Sequence, residues 1–492
     1  MLRKFLCLVP LLLTLAAGDI RYGSEAQADE VSWDSLPGAE RLDTLKGKFR
    51  MFAGYLPITD EGSASMRNMF YWYFESQGSP EEDPLLLWTN GGPGCSGMLG
   101  LLTEHGPFLV RAGGQSLEAN PFSWNLHANM LYVEQPCGVG FSYSDDIAAY
   151  TTGDARAAQD NVALIRTFLD RYPHLRASEL HLSSESYGGH YLPTLAAALV
   201  DANAAARANG SDAINFKGLL VGNPYTDWGS NQVAMYGKYW GEQLISKPLY
   251  DEWNDKCVKD GYRGDSPKCQ SLELEMDSQL GGLNPYALDF PTCSIAGATS
   301  PQGERLRHHV SAKRAVANGH SPEFKGKLAD APAPYEPCAQ SYIVTYLNRP
   351  EVKAALHAKP TIRWQQCSNK VEYSQDDVRA PMMPYYTKLF AASPDTRILV
   401  FSGDDDAVCA TSGTQWWVYD LGHKAVSLWR PWKVDGQVAG YATLFDSGLA
   451  FVTVHSAGHE VPAYQPARAL ALLQRYLDGT WFAPPAAATA VV

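Results

Sequence analysis

The chain has 492 residues, of which 45% are apolar, and its 40 basic and 53 acidic residues leave a net charge of −13. This length accommodates two or three average domains, or one large domain with an insertion. The acidic balance and the lack of a basic stripe in the sequence exclude nucleic acid as an expected partner, because phosphate binding depends on clustered lysine and arginine.

The first segment predicts a signal peptide over residues 1–18. Arg3 and Lys4 precede an apolar run over residues 5–17, which is too short to cross a bilayer, since about 20 apolar residues are needed. Later stretches are shorter or are interrupted by charged residues, so we expect no membrane span. The expected location is the secretory pathway, with a secreted, vacuolar or lysosomal destination.

Nine cysteines fit that pathway, because disulfides form in oxidising compartments. Cys7 is removed with the predicted signal peptide. Cys257 and Cys269 lie on either side of a short polar loop, which suggests a disulfide between them. The sequence has no C-x-x-C pair, which argues against structural zinc, and we expect no metal or cofactor. The sequon at Asn209 predicts a glycosylation site on the surface.

Short apolar runs separated by helical segments fill the first part of the chain, over residues 29–226. This alternation predicts an α/β fold with a mostly parallel central sheet and helices on both faces. In such sheets, ligands bind at the loops that follow the carboxyl ends of the strands. We expect strands at 49–54, 69–75, 84–88, 130–133, 180–182 and 216–221, and a helix at 161–169.

A tight turn carrying Ser186 joins the strand signal at Leu180 to a helical pattern that begins near Tyr187. This arrangement is typical of a nucleophile elbow, in which the pattern G-x-S-x-G holds a serine on a strained turn. Gly188 fits the pattern, whereas Ser184 replaces its first glycine. The stretch by itself therefore leaves an ordinary exposed serine as an equal alternative.

The rhythm changes over residues 227–380 to helical patches rich in tryptophan and tyrosine, which predicts a mainly helical insertion. Its loosest part, at about 296–334, is basic and lacks an apolar period. We expect a solvated loop there that proteases can excise. The core is expected to resume over 381–482 and to end in a flexible tail at 483–492.

Two strand signals in this second part end in polar clusters. The run from Arg397 leads into three aspartates that include Asp404 and Asp406, and the run from Leu449 leads into a cluster with His459. Serine, aspartate and histidine in this order are typical of α/β-hydrolases. In that chemistry an imidazole takes the serine proton, and a buried carboxylate orients the imidazole. The spacing alone does not choose between the aspartates.

Seven stretches, in order, resemble the serine carboxypeptidases over nearly all of the expected mature chain. The resemblance implies an α/β-hydrolase that releases C-terminal residues from peptides or proteins with a free C-terminus, through an acyl-enzyme and at acidic pH. The matching stretches are PLLLWTNGGPGCSG from Pro84, EQPCGVGFSYS from Glu134, SESYGGHYLP from Ser184, GNPYTD from Gly222, YLNRPEVKAALH from Tyr346, SGDDDAVC from Ser402 and HSAGHEVP from His455.

The resemblance also assigns roles to single residues. It selects Asp406 as the triad carboxylate, with Ser186 and His459, and it implies an oxyanion hole formed by the backbone N–H groups of Gly92 and Tyr187. Two carboxyl groups that share a proton are expected to bind the terminal carboxylate of the substrate. The residues implied for that binding set are Trp88, Asn90, Gly91, Glu104 and Glu185.

The residue after the triad histidine, Glu460, is expected to line the pocket for the departing side chain, near a free cysteine, Cys409. A carboxylate there can pair with lysine or arginine, so basic as well as apolar C-terminal residues are expected. Cys137 receives no role from the resemblance. The implied disulfides are Cys95–Cys367, Cys257–Cys269 and Cys293–Cys338.

Two other functions remain as alternatives at this stage. One is an acyltransferase that uses the same triad, although such a protein is expected to lose the carboxylate-binding set that is retained here. The other is a protective or binding partner of other hydrolases. The oligomeric state stays open between a monomer and a homodimer.

Overall fold

The computed structural model describes residues 22–60, 65–293 and 335–482. The predicted signal peptide at 1–18, the excisable loop at 296–334 and the tail at 483–492 lie outside the described residues. These three expectations, and the predicted domain limits, therefore stay predictions. Within the described ranges, no helix is both long and apolar enough to cross a membrane.

An 11-stranded sheet forms the centre of the fold, and two small two-stranded sheets accompany it among the described residues. The strands are β1 (Met51–Thr59), β2 (Met66–Phe74), β3 (Leu85–Thr89), β4 (Phe108–Arg111), β5 (Ser116–Ala119), β6 (Asn129–Val133), β7 (Tyr143–Ser144), β8 (Thr151–Thr152), β9 (Leu180–Glu185), β10 (Phe216–Gly222), β11 (Glu372–Tyr373), β12 (Arg397–Gly403), β13 (Ala425–Val434), β14 (Gln437–Phe445) and β15 (Leu449–Val454).

The strands of the large sheet lie side by side in the order β1, β2, β6, β3, β9, β10, β12, β15, β14 and β13, and β7 pairs with β2. The run from β6 to β15 is parallel throughout. Both flanks are antiparallel. The carboxyl ends of the parallel strands therefore meet along one edge, where ligands of such sheets bind.

Helices cover both faces of the sheet because both faces of its central strands are apolar. In β3, Leu86 and Trp88 pack into one apolar cluster, whereas Leu85 and Leu87 pack into the other. The α-helices are α1 (Ser24–Ala28), α2 (Asp154–Arg171), α3 (Gly188–Ala208), α4 (Trp228–Gly241), α5 (Lys247–Trp253), α6 (Pro267–Gln279), α7 (Ala339–Leu347), α8 (Pro350–Ala355), α9 (Gln375–Arg379), α10 (Met383–Ala392), α11 (Thr411–Asp420), α12 (Val461–Tyr464) and α13 (Pro466–Leu477).

The structure confirms the predicted α/β class and the predicted central strands, which appear as β3, β6, β9, β10, β12 and β15. The stretch between β10 and β12 contributes helices but, in its described part, no strand to the large sheet. The sequence did not predict the antiparallel hairpin of β13 and β14. Most residues of β13 are exposed or only partly buried, so the strand lacks the continuous apolar run that marks a buried strand.

Candidate active site

Ser186 lies on a strained turn between β9 and α3. Its φ of +60° is in the left-handed region, and its N–H donates to the carbonyl of Gly222 at 3.0 Å. Gly188 is required because a side chain there would overlap the Ser184 hydroxyl. The serine that replaces the first glycine of the elbow pattern therefore fits, since the space beside it is left empty by Gly188.

The glycine-rich loop after β3 lies directly against this turn. A side chain at Gly91 would overlap the backbone nitrogen of Tyr187 and come within 2.6 Å of the carbonyl oxygen of Glu185. Gly92 has a φ of +116°, a conformation that residues with a side chain rarely adopt. Backbone thus packs on backbone between Gly91 and Tyr187, and Gly92, the other member of the predicted oxyanion pair, is the next residue along the loop.

His459 and Asp406 form a buried pair after β15 and β12. The imidazole Nδ1 lies 2.7 Å from Asp406 Oδ2, and both side chains are buried. Burial opposes the charged imidazole, but the charge and hydrogen bond of Asp406 outweigh it and raise the pKa of His459. The carboxylate therefore fixes the ring orientation and favours its protonated form, as a general base needs during proton transfer.

The three neighbouring aspartates have separate partners. Asp404 contacts His455 Nδ1 at 2.7 Å on the exposed side of the turn. Asp405 accepts the N–H of Asp289 at 3.0 Å, and burial raises the pKa of Asp405 to about 6. Asp406 is thus the aspartate that reaches His459, which the spacing in the sequence did not determine.

Two further residues hold the histidine and aspartate, and the sequence reasoning gave neither of them a role. Asn223, after β10, donates Nδ2–H to Asp406 Oδ2 at 2.9 Å. The Tyr286 carbonyl accepts the N–H of His459 at 2.7 Å, and the Tyr286 ring packs edge-on against the imidazole at 5.0 Å. The available signals for Asn223 were its position at the end of a predicted strand and its place in the matching stretch GNPYTD.

A hydrogen-bonded chain of buried polar groups follows β3. Asn90 Oδ1 accepts the Trp88 indole N–H at 2.8 Å and the N–H of Gly100 at 3.0 Å. Because both of these groups are donors, the amide must turn its Nδ2 toward Glu185, whose Oε1 accepts at 2.7 Å. Because Trp88 is fully buried, its indole N–H holds the Asn90 side chain in this orientation.

Three carboxyl groups meet beside this chain. Burial, and then the charge of Glu460, raises the pKa of Glu104 to about 8. Burial, and then the charges of Glu104 and Glu460, raises the pKa of Glu185 well above its usual range. The Glu104 carboxyl group lies within hydrogen-bonding reach of Asn90 and Glu185. The cluster thus holds protons near neutral pH, when isolated glutamates have lost them.

Glu460 lines a cavity of about 330 Å³ that opens beside the carboxyl cluster. Its carboxylate is within 3.5 Å of Gln340 Nε2, and burial raises the pKa of Glu460. The walls of the cavity include Glu104, Phe122, Tyr335 and Gln340. Glu460 thus lines a partly open cavity and is itself partly buried.

Three disulfides join the pairs that the resemblance implied, Cys95–Cys367, Cys257–Cys269 and Cys293–Cys338, which confirms that prediction. Cys137 and Cys409 are free and buried. Cys409, Asp406 and His459 bring ligand-type atoms within 4.8 Å of one another. Burial raises the pKa of the Cys409 thiol, so a thiolate ligand for a metal is disfavoured there. Asn209 is exposed just beyond the end of α3, away from these groups.

The strained serine on a strand-to-helix turn, with a buried His–Asp pair on neighbouring strand ends, defines a serine hydrolase of the α/β-hydrolase class. A family model described as serine carboxypeptidase matches residues 38–479, and the chain belongs to that family of peptide hydrolases.

Similar proteins agree with this assignment. Serine carboxypeptidase-like 26 of Arabidopsis thaliana is 36% identical over 438 residues, which are 87% of this chain and 90% of that protein. Serine carboxypeptidase 24 of the same plant is 34% identical and covers 96% of this chain and 97% of its own length. A prohormone-processing carboxypeptidase from Saccharomyces cerevisiae has the same fold, with a TM-score of 0.73 at 22% identity over 92% of this chain and 96% of its own.

Proposed function

We propose that the protein removes single C-terminal residues from peptides at mildly acidic pH and accepts basic as well as apolar residues. The observation that carries this proposal is the buried group formed by Asn90, Glu104 and Glu185, which adjoins Ser186 in sequence and space. Protonated carboxyl groups and an amide N–H are donors, and a terminal carboxylate is an acceptor that fits them. An endopeptidase has no need of such a group.

In the proposed mechanism, His459 takes the proton of the Ser186 hydroxyl while the oxygen attacks the last peptide carbonyl. The N–H groups of Gly92 and Tyr187 bind the oxyanion that forms on the carbonyl oxygen. His459 then gives its proton to the departing nitrogen, the C–N bond breaks, and the acyl group stays on Ser186. Water, deprotonated by His459, releases the shortened peptide and restores the serine.

The carboxyl cluster selects the substrate by its free C-terminus. Asn90 donates one N–H to Glu185, and its second N–H, which lies beside Glu104, is proposed to turn to the substrate carboxylate. A carboxylate entering beside two ionised glutamates would be repelled, whereas a cluster that keeps a proton donates a hydrogen bond. Because the charges of Glu104 and Glu460 also raise the pKa of His459, protonation of these glutamates at acidic pH lowers that pKa and helps to keep the imidazole a base.

The cavity beside Glu460 is proposed to hold the side chain of the departing residue. A partly desolvated carboxylate pairs well with lysine or arginine, and the ring of Phe122 and the stem of Gln340 offer apolar contact to other side chains. This is the basis for expecting both substrate classes.

The proposal includes passage through the secretory pathway to the exterior, a vacuole or a lysosome. Three disulfides and the apolar run at residues 5–17 support it. Glycosylation at Asn209 is part of the same proposal, because the asparagine is exposed.

The test uses N-blocked dipeptides with a free C-terminus, together with the same dipeptides amidated at that end. Release of the last residue from the acids, with the amides cleaved far more slowly, supports the proposal. Transfer of the acyl group to an added alcohol in preference to water would instead identify an acyltransferase. Turnover of neither substrate would leave the role of a non-catalytic partner and overturn the proposal.

A further inference from the structure

Glu134 is a buried carboxyl group for which the proposed mechanism has no use. It directly follows β6, and its carboxyl oxygens accept three hydrogen bonds from three separate parts of the chain. The donors are the Ser96 hydroxyl at 2.5 Å, the Trp364 indole N–H at 2.6 Å and the backbone N–H of Phe141 at 2.6 Å. Glu134 is fully buried, and no salt bridge to it occurs among the described residues.

Such a group is costly, because a buried carboxylate without a cation loses its hydration and is only partly compensated by neutral donors. The cost shows in its ionisation: burial raises the pKa of Glu134 to about 7 despite the three donors. Burial, and to a smaller extent the charge of Glu134, raises the pKa of the Tyr55 phenol. An apolar residue would fill the space without this cost, so a role for the carboxylate is indicated.

The contact with Ser96 points to that role. Ser96 belongs to the 91–97 loop, which carries the proposed oxyanion donor Gly92 at its start. The loop touches the nucleophile turn through Gly91, and its Gly94 N–H donates to Tyr191 at 3.0 Å. At its other end the Ser96 hydroxyl donates to Glu134 and accepts the N–H of Met98 at 3.1 Å.

The Trp364 contact connects Glu134 to a second segment, which also binds the 91–97 loop. In the segment that follows Trp364, the carbonyl of Gln366 accepts the N–H of Ser96 at 2.7 Å. The segment continues into Cys367, whose disulfide partner is Cys95. The Glu134 carboxyl thus binds both the loop and the segment that clamps it.

We propose that Glu134 is a positioning residue that, through the Ser96 hydroxyl, holds the 91–97 loop so that the Gly92 N–H faces the oxyanion. This inference rests on the oxyanion role in the proposed function, but it does not depend on the substrate being a peptide acid. When ionised, a carboxylate suits the position because each of its oxygens accepts only and all three neighbours can donate, and when protonated it keeps the link by donating its O–H to the Ser96 oxygen. An amide would turn a donor toward either the Trp364 or the Phe141 N–H.

The test measures the rate at which a fluorophosphonate probe labels Ser186. This probe has no C-terminal carboxylate, so its reaction depends on the serine, the histidine and the oxyanion donors but not on the carboxyl cluster. Displacement of one donor by a fraction of an ångström is expected to slow labelling by about tenfold or more in Glu134→Gln. Ser96→Ala, which removes the link but leaves the carboxyl group, is expected to do the same.

Glu273→Gln is the matched control. Glu273 in α6 is a partly buried carboxyl group that accepts an indole N–H from Trp253 at 3.1 Å and a hydroxyl from Tyr262 at 2.9 Å. Glu273 does not contact the 91–97 loop. The rate at which Ser186 is labelled in Glu273→Gln is therefore expected to stay within twofold of the wild-type rate, because changes at distant, unconnected sites act independently. An equal loss in Glu273→Gln would attribute the effect to any carboxyl group that accepts indole and hydroxyl donors, and would overturn the proposal.

The double variant Glu134→Gln/Ser96→Ala completes the test. If Glu134 acts through Ser96, the double variant labels no more slowly than the slower single variant, whereas independent effects multiply. Multiplied losses, or wild-type labelling in folded Glu134→Gln, would overturn the inference. Should Glu134→Gln fail to fold, Ser96→Ala decides, since wild-type labelling in that variant would also overturn it. Failure of the wild type to label would instead contradict the proposed function.

Discussion

Asn223 forms hydrogen bonds to Asp406, the proposed triad carboxylate, and to the strand that carries it. Its Nδ2–H donates to Asp406 Oδ2 at 2.9 Å, and its Oδ1 accepts the N–H of Gly403 at 2.9 Å. The same Asp406 oxygen accepts the His459 Nδ1 contact at 2.7 Å. Asn223 itself has a φ of +37°, so its backbone is bent to bring the amide to this place. The orientation of the catalytic pair thus depends on a residue of the neighbouring strand end.

Replacement of Asn223 by alanine is expected to lower kcat/KM for a blocked dipeptide by about 10- to 100-fold. The loss reflects a buried hydrogen bond to a charged group, worth roughly 1.5–3 kcal/mol. The measurement is steady-state kinetics, with circular dichroism to confirm the fold. An unchanged kcat/KM in a folded variant would show that Asp406 is held sufficiently by its other contacts.

The two outer aspartates of the 404–406 turn offer a matched pair. Asp406→Asn is expected to lower kcat by about 10⁴-fold, because the amide can hold the wrong imidazole tautomer. Asp404→Asn changes the same atoms, but its carboxylate contacts the partly exposed His455, so activity is expected to stay within a few-fold of wild type. Equal losses in both variants would contradict the assignment of Asp406.

Ser186→Ala and His459→Ala are each expected to lower kcat by 10⁴-fold or more, on the order of other serine hydrolases. Binding of a peptide acid is expected to persist, because the carboxyl cluster is untouched. Fluorescence titration with a non-cleaved product measures that binding beside the kinetics. Near-normal turnover in either variant would remove the triad from the mechanism.

The affinity for peptide acids is expected to weaken as the pH rises toward 8. The pKa of Glu104 is raised to about 8, so below that value the cluster holds a proton that it can donate to the substrate carboxylate, and above it the proton is lost. The Michaelis constant of a peptide acid should therefore rise between about pH 7 and 9, while that of the matching amide should not. A Michaelis constant for the acid that is flat from pH 5 to 9 would contradict a proton-sharing cluster.

Glu460→Met is expected to remove the preference for basic residues and to retain the apolar ones. Loss of the carboxylate should lower kcat/KM for C-terminal arginine and lysine by about tenfold to a hundredfold, because a partly desolvated ion pair is lost. Leucine and phenylalanine substrates serve as the internal control. Equal loss of both classes, or an unchanged ratio between them, would place Glu460 outside the specificity pocket.

Much of the core and of the site could be predicted from the sequence. The central strands are continuous apolar runs, and their identity as strands follows from length and flanking turns. The strands β13 and β14, at one edge of the large sheet, were harder to predict, because β13 is largely exposed and is stabilised by pairing with β14. The Ser186 turn by itself left an ordinary serine as an alternative, which the residue order and the family resemblance argued against, and its backbone φ of +60° agrees with a strained elbow.

The sequence by itself determined the order of serine, aspartate and histidine and the strand ends that carry them, because strand period and turn chemistry are local properties. Spacing did not choose between Asp404 and Asp406, and the family resemblance selected Asp406; the tertiary structure gives the reason, since Asp404 reaches His455 and Asp406 reaches His459. It also decided that Ser184 is compatible with the elbow, because the space it needs is left by Gly188. Such choices depend on distances between segments far apart in the chain, and local sequence does not encode those distances.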